Sequence, residues 1–457
     1  MSYRLSLAFF LLLSSLCFGQ DTTFHLRNYK FRTTGFRALT ANIGLNGASN
    51  SQKFRGLQAE SEKNFNLTPS AISFLRIYSS DQRWHFSTIS ITPSFYSNKS
   101  VKSRDERKTK SFQANLSWDR TDRFYKSNNR FLELGNQLTG STVNNQSSVT
   151  LTDYKDARNS INNVVTIGIG KGRIEFVQDA QMANFILDDL RRQGLTLTSV
   201  TVDTYYQLAR LITDINTRRI FDSRRRRIYE LTRIDSFLRN NGIIAGTDIR
   251  TFTTINDNWA LAFNPTRSAG TVYYLKLKPS IAFVKNSSET KFTTGSNEDN
   301  YRGRALGLAP VLGFEKYTPV NLHWQHDVGA SVSWQRYWDW SEYEFNNIFS
   351  QNFYSKQYSD RSQFVFYSYY RLGFYPNNRT LLNANVAVLG HYEKKNMWSV
   401  EPSLNLSTSY FLGYRTRLEA GLYFRANYFK TYDNLNTETT GNNIASSFGL
   451  GLTHVLF

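Results

Sequence analysis

Cysteine occurs once, proline eight times and methionine three times in 457 residues, and no long apolar run follows the first twenty. Each scarcity excludes something. A helical membrane protein needs roughly 20 mostly apolar residues per span, and that requirement is unmet. One cysteine rules out a disulfide framework and a multi-cysteine metal site. Few prolines set beside 15% aromatic residues exclude collagen-like and disordered chains, which lack the large apolar side chains seen here. Charge is scarce in one sign only: 36 acidic residues face 55 basic ones, a net +19. A mean hydropathy of −0.47 leaves one membrane architecture open, because the alternating strands of a β-barrel average out as polar.

Arg4, the run Leu5 to Leu13 and the small residues before Gln20 have the layout of a secretory signal, residues 1 to 19, with cleavage expected after Gly19. Cys17 would leave with it. Lipidation there is disfavoured because Leu16 fills a position that wants a small residue. Losing Arg4 lowers the net charge only to +18, so the basicity belongs to an exported chain, and without a recognisable binding motif no nucleic-acid partner is expected. The chain closes on Gly449 to Phe457. A signal peptide joined to a last strand ending in Phe resembles bacterial outer-membrane barrels; the resemblance implies that the barrel-assembly machinery reads Phe457 as its assembly signal.

Strand alternation carries more weight. Successive strand residues face opposite sides, so a membrane strand reads apolar toward lipid and polar inward at a period of two. Trp398, Val400, Leu404, Leu406, Tyr410 and Leu412 alternate with Ser399, Glu401, Ser403, Asn405, Ser407 and Ser409. Leu418 to Tyr428 and Leu382 to Tyr392 repeat the pattern. Weaker versions bring the tally to about fourteen strands, an even number suited to a single-chain barrel. Tight turns at Ser79 to Arg83, Tyr375 to Arg379 and Gly413 to Thr416 alternate with polar stretches expected as long external loops: 98–108, 286–302, 339–361 and 431–443. An apolar-x-Pro-x-apolar core recurs around Pro93, Pro279, Pro310 and Pro402, and suggests a local bulge within tilted strands.

From Gly172 to Gly246 the period turns helical. Val177, Ala180, Ala183, Ile186, Leu187 and Leu190 share one helix face, ended by Gly194; Leu208, Leu211, Ile212 and Ile215 mark a second; Asp222-Ser223 caps a third that stops at Gly242. Six strands precede this block, which places it on the periplasmic side. It holds 12 Arg and no Lys against 9 acidic residues. Arg218, Arg219, Arg224, Arg225, Arg226 and Arg227 concentrate the excess. They dock a periplasmic protein or peptidoglycan, or, more plainly, form a solvated face paired with Asp214, Asp222 and Glu230. Gly168 to Phe176 lacks the spacing of a phosphate loop. Together with Asp179-Ala180 and Arg218 to Arg224, it resembles a group of Bacteroidota outer-membrane barrels that carry such a helical block. The resemblance spans most of the chain and implies a fold, not an activity.

No chemistry stands out. His323 and His326 fall on opposite faces of a strand, so no metal site is expected, and no G-x-S-x-G element accompanies His391 or His454. Trp334, Tyr337, Trp338 and Trp340 read as an interfacial girdle, with sugar stacking as the alternative. The expected protein is an all-β transmembrane barrel of about fourteen antiparallel strands in the lipid of a Gram-negative outer membrane. Residues 20–171 supply six strands, 172–246 the periplasmic insert and 247–457 eight strands. Neither enzyme activity nor a cofactor is expected. The leading function is porin-like passage of small solutes, with anions favoured by inward-facing Lys276, Lys278, Arg371, Arg417 and Arg425; the alternative is a closed barrel anchoring the helical domain as a structural or assembly module. A hydrophobic-substrate importer would need an N-terminal plug, and Gln20 to Thr34 look too short and polar for one.

Overall fold

A computed structural model describes residues 24–51, 61–102, 105–149, 152–218, 222–259, 267–346, 352–393, 397–413, 415–432 and 438–456. The expected signal segment, Phe457 and Arg219 lie outside the described residues. Six strands come first: β1 Thr33–Ser51, β2 Ser61–Ser79, β3 Arg83–Lys102, β4 Asp105–Tyr125, β5 Arg130–Val149 and β6 Thr152–Phe176. Eight follow a helical block: β7 Ser268–Phe292, β8 Gly295–Pro319, β9 Trp324–Asn346, β10 Phe353–Phe374, β11 Thr380–Glu393, β12 Trp398–Gly413, β13 Thr416–Tyr432 and β14 Glu438–Val455. All fourteen pair antiparallel with their sequence neighbours, and β1 pairs with β14, so the sheet is a closed barrel without an edge.

The period of two assigns the faces. Ile89, Ile91, Leu132, Leu134, Ile167, Leu275, Leu312, Val332, Leu406, Leu422 and Leu450 are exposed on the outer wall, where an apolar belt is stable only against lipid. Residues between them point into the barrel. Strands reach 25 residues, well beyond the roughly 9 to 11 that cross a bilayer. The stretches expected as long loops are therefore mostly strand: β7 and β8 are separated by two residues, and residues 98–102 and 105–108 pair across β3 and β4. Polar residues on both faces hide a strand from any hydropathy pattern, yet their backbone ladders continue past the lipid.

Nor does the recurrent proline make a bulge. Beside Pro279 the β6–β7 ladder goes from Val164–Ser280 to Ile167–Leu277 in unbroken register, leaving the rungs between them unmade. Pro310 gives the same gap between Leu308–Arg336 and Val311–Ser333, and Pro402 between Val400–Tyr428 and Ser403–Arg425. The described β2–β3 ladder stops at Ile72–Ile91, short of Pro93. A missing N–H donor explains each gap without an extra residue.

The helical block runs later than the sequence pattern placed it. β6 holds its pairing to Phe176, so Gly172 is strand, and a fourth helix lies beyond Gly246. Among the described residues the helices are α1 Gln178–Arg192, α2 Val202–Thr217, α3 Ser223–Asn240 and α4 Ile249–Asn258. Thr201, Asp222 and Asp248 cap the starts of α2, α3 and α4 by accepting from backbone N–H groups one turn in. α1 and α3 end on Gly194 and Gly242 at positive φ, with Leu195 N–H bonded to Leu190 O and Ile243 N–H to Leu238 O, the Schellman pattern. At the junction with the barrel, Gly172 (φ 103°) of β6 pairs with Val272 and Gly270 (φ 125°) of β7 pairs with Ile174, two rungs away; a Cβ at either would lie about 2 Å from a carbonyl oxygen of the other strand.

Candidate functional site

The barrel end carrying the short turns is filled. One apolar core runs from Ala183, Ile186 and Leu190 of α1 through Leu208 and Ile212 of α2, Ile234 of α3 and Ile255 of α4 into the barrel, where it includes inward-facing Phe36, Ala38, Ile77 and Val455. Ile77, on a barrel strand, has no exposed surface at all. Farther round the rim, Tyr125, Phe131 and Val272 form a second buried cluster. Burial of this kind contributes about 25 cal/mol per Å² of apolar surface, so the block and the mouth are held by a shared core.

The segment before β1 is part of this stopper. Phe24, Leu26, Tyr29 and Phe31 are buried in the same core: the segment adds four apolar side chains to a stopper whose bulk the helices supply. Tyr29 Oη donates to Thr213 Oγ1 at 2.8 Å, and Thr213 donates to Asp179 Oδ2 at 2.5 Å. Among the described residues no cation pairs with Asp179. Burial raises the Asp179 carboxyl to about 7 although the Thr213 bond pulls the other way, and burial likewise raises the Tyr29 phenol.

Polar ties fix the block and the segments flanking it to three short turns. Arg267, fully buried between α4 and β7, donates to Leu322 O (2.6 Å), Trp324 O (2.9 Å) and Gln325 Oε1 (2.9 Å) and stacks its guanidinium over Tyr375 at 4.6 Å. Burial lowers its pKa to about 10, still charged at neutral pH. Arg379 pairs with Asp257 at 2.8 Å and Asn378 Nδ2 donates to Asn258 Oδ1 at 2.6 Å. Arg32 bridges Asp81 and Glu175, each at 2.7 Å.

Lys276, Lys278, Arg371, Arg417 and Arg425 lie on the strand face opposite the exposed apolar belt, and acids accompany four of them. Lys276 contacts Glu133 at 2.6 Å, Arg371 contacts Asp327 at 2.5 Å, Arg417 contacts Glu419 at 2.9 Å and Arg425 contacts Glu401 at 2.5 Å. Glu133 also takes Arg123 at 2.8 Å. Lys278 has no ion pair among the described residues. Sequence reasoning missed Arg267, Glu133 and Asp327, because strand register rather than chain proximity assembles these clusters.

The arginine run is divided. Arg226 is buried on Glu230 at 2.6 Å, and Arg227 donates to Asn256 O at 2.8 Å, tying α3 to α4. Arg226 is thereby taken into the interior of the block, while Arg227 stays half-buried at the α3–α4 contact. Arg218 lies over the Tyr229 ring at 5.1 Å, whereas Arg224 and Arg225 are exposed, the latter 3.8 Å from Asp222. His323 Nδ1 meets Tyr375 O in a turn, and His326 Nδ1 meets Tyr370 Oη on the outer wall. His454, on that wall too, bonds Thr416 Oγ1 at 2.9 Å. Trp334, Trp338 and Trp340 lie on the outer face; Tyr337 points inward and donates to Gln335 Oε1 at 2.9 Å, so it leaves the girdle.

No family model matches the chain, and no curated protein matches it either. Solved structures overlap its fold at low identity. The toluene transporter TodX of Pseudomonas putida covers 92% of this chain and 88% of its own at 8% identity and a TM-score of 0.38. The ferric yersiniabactin uptake receptor FyuA from Yersinia pestis covers 93% and 80% at 6% and 0.40. The translocator domain of the autotransporter NalP from Neisseria meningitidis covers 93% and 89% at 10% and 0.32. Fold likeness of this kind does not assign function, which lives in the site.

Proposed function

We propose that the chain is an outer-membrane barrel whose periplasmic mouth is stoppered by its own helical block, and that its role is to anchor that block at the membrane as a structural or assembly module. The observation that carries this reading is the continuity of the helical core with inward-facing Phe36, Ala38, Ile77 and Val455. A porin's mouth is wet; side chains with no exposed surface there oppose free diffusion. Ion pairing of four of the five inward bases also weakens the field that would select anions. On this reading Arg224 and Arg225, exposed on the block's surface, meet a periplasmic protein or peptidoglycan, and the apolar belt meets outer-membrane lipid.

Solute passage is the second reading, favoured by inward-facing Lys278 and by the Gln335–Gln363 hydrogen bond of 2.8 Å, which gives the interior above the stopper polar walls. It requires the block to move. Planar-bilayer recording separates the two. The intact protein is expected to give no steady conductance, and a variant with residues 178–258 replaced by a short Gly/Ser linker is expected to give channels. Steady channels from the intact protein would establish the porin reading instead.

A further inference from the structure

Directly above the stopper, inward-facing side chains of β1, β2, β3, β12, β13 and β14 and of Arg415, just before β13, surround a cavity of about 260 Å³. Its walls are chemically mixed. Leu75, Phe86 and Phe411 supply its large apolar side chains. Strand register sets Asn42, Thr453 and Arg417 in one row, Asn42 paired with Thr453 and Thr453 with Arg417; Leu75 and Phe86 flank the Asn42 end, and Phe411, the cross-strand partner of Arg417, flanks the other. Strand spacing puts the outer two of the row about 10 Å apart at Cα, a gap that the arginine side chain narrows. Asn42 Oδ1 is buried without a hydrogen-bond partner. An orphaned acceptor of this kind costs free energy until a donor reaches it. Arg415 also lines the cavity and no acid does; Glu419, paired with Arg417 and accepting from Thr453, stands just outside the lining.

We propose that this cavity is a binding site for a small 2-hydroxycarboxylate with an apolar body. The carboxylate accepts from the arginine side of the row. The hydroxyl on the next carbon donates to Asn42 Oδ1, and the body lies beyond it against Leu75 and Phe86. A hydroxyl suits the donor position better than an ammonium group, because two guanidinium groups against the single carboxylate of Glu419 leave this wall net positive. Bound there, the ligand spans β13, β14 and β1 and so bridges the seam that closes the barrel. The site is independent of the anchoring role and is read by a different experiment.

Isothermal titration of the full-length protein in detergent with 3-phenyllactate, 3-phenylpropionate and phenylalanine tests it. Phenyllactate is expected to bind saturably, one per barrel and at least tenfold tighter than phenylpropionate, which lacks the donor, or phenylalanine, which carries the cation. Asn42→Leu is expected to abolish the preference of phenyllactate over phenylpropionate while leaving the heat-induced gel shift of the barrel unchanged, since it removes an unsatisfied atom. Arg417→Gln is expected to weaken both acids at least tenfold. No saturable binding, equal affinities for the two acids, a preference that survives Asn42→Leu, or tightest binding of phenylalanine would each overturn the proposal. None of these outcomes bears on conductance.

Discussion

Replacing Asp179 by Asn should make the stopper more stable, and by an amount that depends on pH. The carboxyl is buried, bonded to Thr213 and raised from 3.8 to about 7 by desolvation. A folded-state pKa above the unfolded value means that the native state holds a proton that the unfolded state has released. Stability is therefore undiminished below about pH 3.8, falls by about 1.4 kcal/mol per pH unit as pH rises toward 7, and is flat above that. The full deficit is about 4 kcal/mol, roughly three units at 1.36 kcal/mol each. Asn cannot ionise, and its amide oxygen still accepts the Thr213 hydroxyl. Asp179→Asn should thus stabilise the helical block by about 4 kcal/mol at pH 8 and by under about 2 kcal/mol at pH 5. Thermal melts followed at 222 nm, with amide exchange in α1 and α2 as a local readout, measure both values. A gain that is the same at the two pH values, or a loss at pH 8, would refute the reasoning.

Gly270→Ala should impair folding, because it places a Cβ about 2 Å from the Arg173 carbonyl oxygen at a φ of 125°; a loss of about 3 kcal/mol or more would show as a lower temperature for the heat-induced gel shift, and an unchanged shift would contradict the junction geometry. Glu133→Gln should cost about 3 to 5 kcal/mol by leaving buried Arg123 and Lys276 without their shared carboxylate. Adding Lys276→Met should recover part of that loss, and urea unfolding in detergent compares the two variants.

The barrel was legible where lipid divides the two faces of a strand. Trp398 to Leu412 announces β12 because every second residue is apolar, whereas β6 shows only Val165 to Ile169 of its 25 residues. The rest of β6 carries Asp153, Lys155, Asp156 and Arg158, polar on both sides. Its strand character comes from pairing with β5 and β7, which no single segment records. α4 was missed because a short, threonine-rich helix has little apolar stripe; the Asp248 cap three residues before Thr251 was its only clear sign. The inward direction of Lys276 and Arg371 followed from alternation, but their partners Glu133 and Asp327 sit on other strands or earlier in the fold, and register alone brings them together. Proline suggested a bulge because both a bulge and a missing rung answer the lack of an N–H. The intact register beside Pro279, Pro310 and Pro402 decides between them.

The stopper itself is tested most directly by disulfide trapping between β1 and α2. Thr33 Oγ1 and Thr217 Oγ1 lie 3.1 Å apart, close enough for a Thr33→Cys/Thr217→Cys pair to bond with little backbone movement, and Cys17 is the only other cysteine in the sequence. In native membranes under mild oxidant the pair is expected to cross-link nearly completely without altering the barrel's gel mobility when unheated. A pair that stays reduced while the barrel is folded would mean that the helices do not sit in the mouth.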